Sequence, residues 1–268
     1  SLVCDRYTNK WKMVVEGFVD KLVIEFTSHA GSPTITYTGT YEIVDGDNYD
    51  WKIRFLTSGT LTFDSPVSVL DVFLVGGGGA GSKAVPETGS TGGGGGYTTT
   101  VKNIKVENNV SYEIVVGEGG QESGAAGTAS IAFNQSAAGG IGGKGRSTGG
   151  NGGSGGAAWR KPGASDGASG VGWTSGDNNQ YKWRGGTGQG TTTREFGESD
   201  GTLYSGGGGS HPGTAGGDGG GGKGGTESHS TGYNGTVNTG GGGGGGYGKG
   251  GAAGKGGSGI VIIRNHKE

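Results

Sequence analysis

The sequence predicts an all-β protein with little or no α-helix, in which a β-scaffold carries a bundle of polyglycine II helices. Three observations support that expectation. Glycine supplies 72 of the 268 residues, about 27%, and it is concentrated: residues 1–75 hold five (Gly17, Gly31, Gly39, Gly46, Gly59), and the following 193 hold 67. Short runs of alternating or continuous apolar residues, the pattern of strands, precede, punctuate and close the glycine region. Inside that region the non-glycine residues keep a period of three, the repeat of a polyproline II-type helix.

In chain order, Trp11–Phe26 is apolar without a clean period and predicts one or two strands, with a short helix as the alternative. Ile35, Tyr37, Tyr41 and Ile43 alternate with Thr and Glu, Gly39 taking the intervening slot; Trp51, Ile53 and Phe55 alternate with Lys52 and Arg54. Gly31–Ser32–Pro33 and Asp45–Gly46–Asp47–Asn48 are turn chemistry. Val67–Val75 predicts a strand, Tyr97–Val106 and Val110–Val116 a hairpin around Glu107–Asn109, and Thr128–Phe133 a further strand. Gly259–Arg264 closes the chain with a compact apolar strand. A sheet pairing early strands with Ile260–Ile263 would hold both ends of the glycine region at one base.

The glycine runs are either flexible linker or ordered rods, and the period favours rods. Gly139, Gly140, Gly142, Gly143 and Gly145 leave side chains at Ile141 and Lys144; the run 149–156 leaves them at Asn151 and Ser154. Lys249, Ala252, Lys255 and Ser258 recur every third residue. A threefold helix puts such side chains on one edge and leaves bare backbone on the other two, free to hydrogen-bond laterally. Ordering glycine costs much entropy and buries almost no apolar area, so the rods require an anchoring β-domain.

Composition excludes several classes. A hydrophobic fraction of 29% cannot fill 268 residues with one conventional core, and one Cys allows neither an intrachain disulfide nor a four-cysteine metal site. No run of 18 apolar residues exists, so no membrane insertion is expected, and a net charge of −2 gives no global pull toward nucleic acid. Opening at Ser1 without Met or a signal-peptide pattern, the chain is expected to be a fragment or a processed product. The four His (29, 211, 229, 266) lack metal-ligand spacing, and the segment Asp45–Asp50 lacks the spacing and terminal Glu of a calcium loop. GxGxxG matches carry no information at this glycine content without a βαβ unit. The protein is expected to be non-enzymatic, with no cofactor and no metal.

Segments joining rods form turns at the two ends of the bundle, one meeting the β-domain and one facing outward. The richest is 157–184, which holds Trp159, Arg160, Lys161, Trp173, Tyr181, Lys182, Trp183 and Arg184. Between Gly139 and Arg194 seven Lys or Arg face only Asp166 and Asp177, a local charge of +5. Exposed aromatic and Arg side chains are what binding hot spots use; packing of the Trp rings onto glycine rods is the structural alternative. Phe196, Tyr204, His211 and Tyr233 are further outward-facing candidates.

FLTSGTLTF (Phe55–Phe63), VLDVFLVGGGGAG (Val69–Gly81), GGGGGYTTTV (Gly92–Val101), YEIVVGEGG (Tyr112–Gly120) and GGSGIVIIR (Gly256–Arg264) together resemble the glycine-rich domain of many bacteriophage tail and bacterial surface proteins, over roughly 53–265. The resemblance implies a β-sandwich (jelly-roll-like) scaffold carrying polyglycine II helices over 53–265, with 1–52 as a β-rich N-terminal attachment module. By analogy with tail-tip adhesins built on such bundles, it implies a receptor-binding adhesin of a phage tail tip or fibre, located on the virion and extracellular. Its expected partners are a bacterial surface protein or glycan and, through the N-terminal β-region, other tail proteins; a homotrimer is common among tail fibres, whereas tip adhesins can be single copies. The eight residues from Trp159 to Arg184 named above are the expected receptor-binding set. The alternative is a structural tail or cell-surface decoration without a specific ligand; an ice-binding bundle is disfavoured by Lys249, Lys255 and the Trp-bearing loop.

Overall fold

A computed structural model describes residues 2–5, 10–16, 21–27, 32–45, 50–65, 67–84, 89–145, 148–158 and 193–266. Among the described residues the β-branched and aromatic runs form thirteen strands. β1 (Leu2–Asp5), β2 (Lys10–Glu16) and β3 (Lys21–Thr27) pair antiparallel as a small sheet, so the described residues of the apolar stretch 11–26 form two strands.

Ten further strands build two five-stranded antiparallel sheets, an all-β sandwich. One sheet has the order β12 (Gln135–Ala137), β11 (Ser130–Ala132), β10 (Ser111–Val115), β7 (Gly59–Phe63), β4 (Ile35–Tyr37). The other has the order β5 (Tyr41–Asp45), β6 (Trp51–Phe55), β13 (Ile260–Asn265), β8 (Val69–Val75), β9 (Thr98–Lys105). The inner faces interdigitate as alternation dictates. Trp51, Ile53 and Phe55 meet Leu61, Phe63, Leu70, Val72, Leu74, Ile114, Val261 and Ile263 in one core. The last strand does lie between early ones, Ile263 opposite both Ile53 and Val72.

Three local expectations are corrected. Ile35–Ile43 is not one strand: β4 and β5 lie in different sheets, and the chain crosses between them at Gly39, where a Cβ would collide with the Ser58 carbonyl and the Tyr37 ring. The sandwich therefore begins at Ile35, and a boundary at 52/53 runs through β6. Nor do β9 and β10 form a hairpin. Each has an inward face to bury, and the residues between them carry the chain from one sheet to the other, tied by Val106 N–H to the Ser68 carbonyl and Asn109 N–H to that of Phe63. Phe196 and Tyr204 are buried, not outward-facing.

The reason lies on the outer face of the β6–β13–β8 sheet. β8 and β13 are apolar on both faces, as strands buried on both sides must be. Phe73, Val75, Ile260 and Ile262 point away from the sandwich core, and the segment 193–204 covers them with Phe196 and Tyr204, whose ring centroids lie 6.0 and 5.5 Å from that of Phe73. Phe196 adopts φ 55°, a left-handed conformation costing a non-glycine residue about 1–2 kcal/mol, offset here by the burial of its ring. Charges lock the segment down. Glu195, nearly buried, takes Lys52 at 2.6 Å and Arg54 at 3.4 Å. Arg264, 2% exposed, lies 4.0 Å over the Phe196 ring, with Asp71, 0% exposed, at 3.4 Å and Glu198 at 2.6 Å. Tyr204 donates to Glu195, and burial first, then that carboxylate, push its phenol well above the ordinary range.

Beyond the sandwich the strands run straight into the glycine region. The C-terminal ends of β8, β10 and β12 and the N-terminal ends of β9, β11 and β13 all emerge at one end. There the segment 76–84 shows the rule of the bundle. Gly76, Gly79 and Ser82 donate backbone N–H bonds to Tyr97, Gly94 and Thr91; Gly77 and Ala80 donate to Thr128 and Ala125; Gly78, Gly81 and Ala84 donate to Gly257, Gly254 and Gly251, all at 2.8–3.0 Å. Successive residues thus point in three directions and the pattern repeats every third, the signature of a threefold polyglycine II helix. The same segment accepts from Gly120, Gly140 and Gly243, so six neighbouring passes of chain surround it. Segments 91–97 and 240–247 are surrounded in the same way. The packing is hexagonal.

That lattice admits only small side chains, at positions such as Ala80, Ser82, Thr91 and Ser205, and none at its glycines. A Cβ on Gly93 would fall inside the Gly79 carbonyl, one on Gly96 inside that of Gly76, one on Gly243 inside that of Gly254. At the rim the period of three holds: Lys249, Ala252 and Lys255 are exposed while Gly251, Gly254 and Gly257 are buried. Ser154 departs from it. Its side chain is buried, because the chain folds back near Gly153 and a second pass, 154–158, covers the first.

Two outcomes follow. Gly93→Ala should cost at least the ~1–3 kcal/mol of overpacking a core, because the obstacle is backbone, whereas Lys255→Ala at the rim should leave the melting temperature unchanged; thermal denaturation reads both. Asp71→Ala, which strips buried Arg264 of the buried one of its two carboxylates and leaves it half-exposed Glu198, should destabilise by up to ~3–5 kcal/mol in denaturant titration. The apolar pair Asp71→Leu with Arg264→Met should recover most of that loss.

Candidate functional site

Function cannot reside in the bundle interior, where backbone meets backbone. Side-chain chemistry collects at the turns, and the register of the rods separates two sets. Turns near 153, 218–220 and 237–239 lie at the base beside the sandwich, where Asn238 donates its amide to the Leu56 and Gly259 carbonyls at 2.8 and 3.2 Å. Turns near 121–124, 211–213, 226–230 and 247–251 lie at the far end, as do the ends of the segments leading to 85–88 and 146–147.

The far end carries a connected polar and aromatic cluster. Ser90 donates its backbone N–H to His211 Nδ1 at 3.0 Å, so the neutral imidazole carries its proton on Nε2. The His211 ring lies 5.8 Å from that of Tyr247, and Tyr247 donates its hydroxyl to Glu227 at 3.0 Å. That hydrogen bond, with smaller contributions from burial and the carboxylate charge, raises the Tyr247 pKa. Ser90 Oγ donates to the Gly246 carbonyl, pinning the 89–96 segment to the last long glycine run. Below the tip, His229 stacks on Tyr233 with centroids 4.8 Å apart, and Tyr233 is 46% exposed. The tip thus presents imidazole, phenol and carboxylate groups with donors and acceptors of both kinds, a surface suited to recognition. Among the described residues no group of three or more His, Cys, Asp or Glu side chains could hold a metal ion.

Of the residues singled out from sequence, Tyr233 is exposed and His211 joins the tip cluster, whereas Phe196 and Tyr204 serve the base. Trp159, Arg160, Lys161, Trp173, Tyr181, Lys182, Trp183 and Arg184 lie outside the described residues. Their flanks are placed. Ala157 accepts from Gly92 in the outer half of the bundle, and Thr193 accepts from Tyr204 at the base. Tyr247 and Glu227 escaped the sequence reading because their pairing joins two turns twenty residues apart; the signal available was a lone Tyr interrupting glycine at 247.

A family model described as a glycine-rich domain matches residues 56–266, most of the chain. No curated protein matches it.

Removing the carboxylate should free Tyr247. The neutral phenol is favoured in the folded chain by its bond to Glu227, so Glu227→Gln should lower the Tyr247 pKa toward the ordinary tyrosine range. An NMR titration of ring-labelled tyrosine, with Tyr247→Phe assigning the signal, checks the direction.

Proposed function

We propose that this chain, which belongs to the glycine-rich domain family, is a non-enzymatic receptor-binding adhesin of a bacteriophage tail tip or fibre, extracellular on the virion. The observation that carries the reading is the separation of roles along one axis. The sandwich supplies the apolar core, the hydrogen-bonded rods extend from one end of it, and turns bearing His211, Glu227 and Tyr247 collect at the far end. The chain enters the sandwich at Ile35, at the opposite pole, since Ile35 pairs with Phe63 and Phe63 accepts from Asn109 in the turn farthest from the bundle. A β-rich N-terminal region attached there to other tail proteins would hold the tip outward.

In this reading the bundle is a stiff spacer whose lateral bonds resist bending, and the ligand is a bacterial surface protein or glycan. The basic, Trp-bearing segment 159–184 supplies anchors of the kind that dominate binding energy, and the tip cluster supplies polar contacts of its own. Neither nucleic acid nor membrane insertion has a part in it.

Binding of the purified chain to a panel of whole bacterial strains tests the proposal. The expected result is strain-selective binding that is lost when 159–184 is deleted, and weakened at least tenfold by Trp159, Trp173 and Trp183→Ala together, roughly the effect of removing hot-spot residues. Folded protein that binds no strain would return the chain to the structural alternative, a decoration without ligand. Binding that survives both changes would move the site to the turns that carry His211, Glu227 and Tyr247.

A further inference from the structure

At the pole opposite the bundle, where β9 ends, β10 begins and β11 turns into β12, the sandwich holds an open cavity of about 290 Å³. Two aromatic rings form its floor. Tyr112 and Phe133 lie with centroids 5.1 Å apart, and Ile104 and Ile131 flank them. The Tyr112 ring is fixed, because its hydroxyl accepts the Glu107 N–H at 2.7 Å. The Phe133 ring is held at a cost. Phe133 and Asn134 are the two central residues of the β11–β12 hairpin, at φ 49° and 60°, the left-handed pair of a type I′ turn. Asn is at ease there; a bulky aromatic is not, and Asn or Gly would be the unstrained choice at 133. Such strain gathers where a side chain must be held in place, and here it holds the ring beside Tyr112, packed on the edge of the sandwich core and lining the cavity.

Around the aromatic floor stand Lys105, Glu113 and Asn134, an ammonium, a carboxylate and an amide. Among the described residues none of these three side chains has a hydrogen-bond or ion-pair partner. An apolar anchor entering the cavity would desolvate these groups without answering them, which costs free energy. A pyranose ring answers both halves of the lining: its C–H face lies on aromatic rings, whose faces are negative, and its hydroxyls give and take hydrogen bonds at the rim. The volume suits one ring. We propose that this cavity is a saccharide-binding site, taking one sugar residue of a glycan, separate from the far tip and independent of the residues that bind there.

The test is saturation-transfer NMR on the full chain with the methyl glycosides of glucose, galactose, N-acetylglucosamine and rhamnose at millimolar concentration. The expected result is transfer to at least one glycoside, with affinity reduced about tenfold in Glu113→Ala and in Phe133→Asn. The second substitution keeps the turn in a conformation Asn accepts, and the first touches an exposed side chain, so the melting temperature reports that both variants fold. Deletion of 159–184 should leave the transfer intact, which separates this site from the proposed receptor-binding segment. Absence of transfer to all four glycosides from folded protein would overturn the proposal, as would an affinity unchanged by either substitution.

Discussion

The glycine bundle depends on one interaction, a backbone N–H meeting the carbonyl of a neighbouring rod, repeated in three directions along each rod. Such a bond contributes only ~0.5–1.5 kcal/mol net, while fixing one residue's backbone costs ~1–2 kcal/mol, with glycine at the expensive end. A single rod is therefore unstable, and a pair little better. Stability comes from the count of bonds per residue. An interior residue both donates and accepts, and in segments 76–84, 91–97 and 240–247 six surrounding passes make that possible. The condition is that no side chain intervenes, and this is why 92–96 and 240–246 are glycine without exception.

A structure that excludes side chains forgoes the hydrophobic effect, so it must borrow order from somewhere that has it. The sandwich supplies this through continuity: six strand ends become rod ends without an intervening loop, and their ladder spacing presets where each rod begins. The same demand explains the second cluster. β8 and β13 each serve as both core strand and rod root, and their outer faces would be bare apolar surface if 193–204 did not lie across them. The cover is expensive, with Asp71 and Arg264 almost wholly buried and Phe196 in a left-handed conformation. What it secures is a covered outer face on the two strands from which rods begin.

The sequence made the periodic features legible and hid the relational ones. Strands β6, β8 and β13 announce themselves by alternation or continuous apolarity, and the rods by their phase, because each is a property of neighbouring residues. Which sheet a strand joins is not. The five residues between β9 and β10 read equally as a hairpin turn or as a bridge across the sandwich, and only the inward faces of both strands, packed against opposite partners, decide it. Gly39 looked like a gap in a strand because a period of two survives the crossing. Phe196 and Tyr204 looked outward-facing because the surface they cover is built from residues more than a hundred positions earlier and fifty later. Asp71 inside VLDVFLV and Arg264 at the end of GIVIIR were the one available hint that those strands had a charged partner on their far side.

The bundle divides the chain into positions that cannot change and positions that can. In the interior a single methyl group meets a carbonyl. At the tip, a Cβ on Gly145, Gly248 or Gly250 would meet nothing within 4 Å; only their positive φ restrains them. A conventional domain couples its surface loops to its core through packing, so loop changes are felt as lost stability. Here the rods transmit only backbone bonds, and a turn at the far end is insulated from the apolar core by the full length of the bundle. Substitution, insertion and elongation at the tip leave the lateral register untouched, provided the turn still joins the same two rods. A scaffold with that property suits a surface whose partner changes faster than the protein that carries it, and this is the physical ground on which the adhesin reading rests.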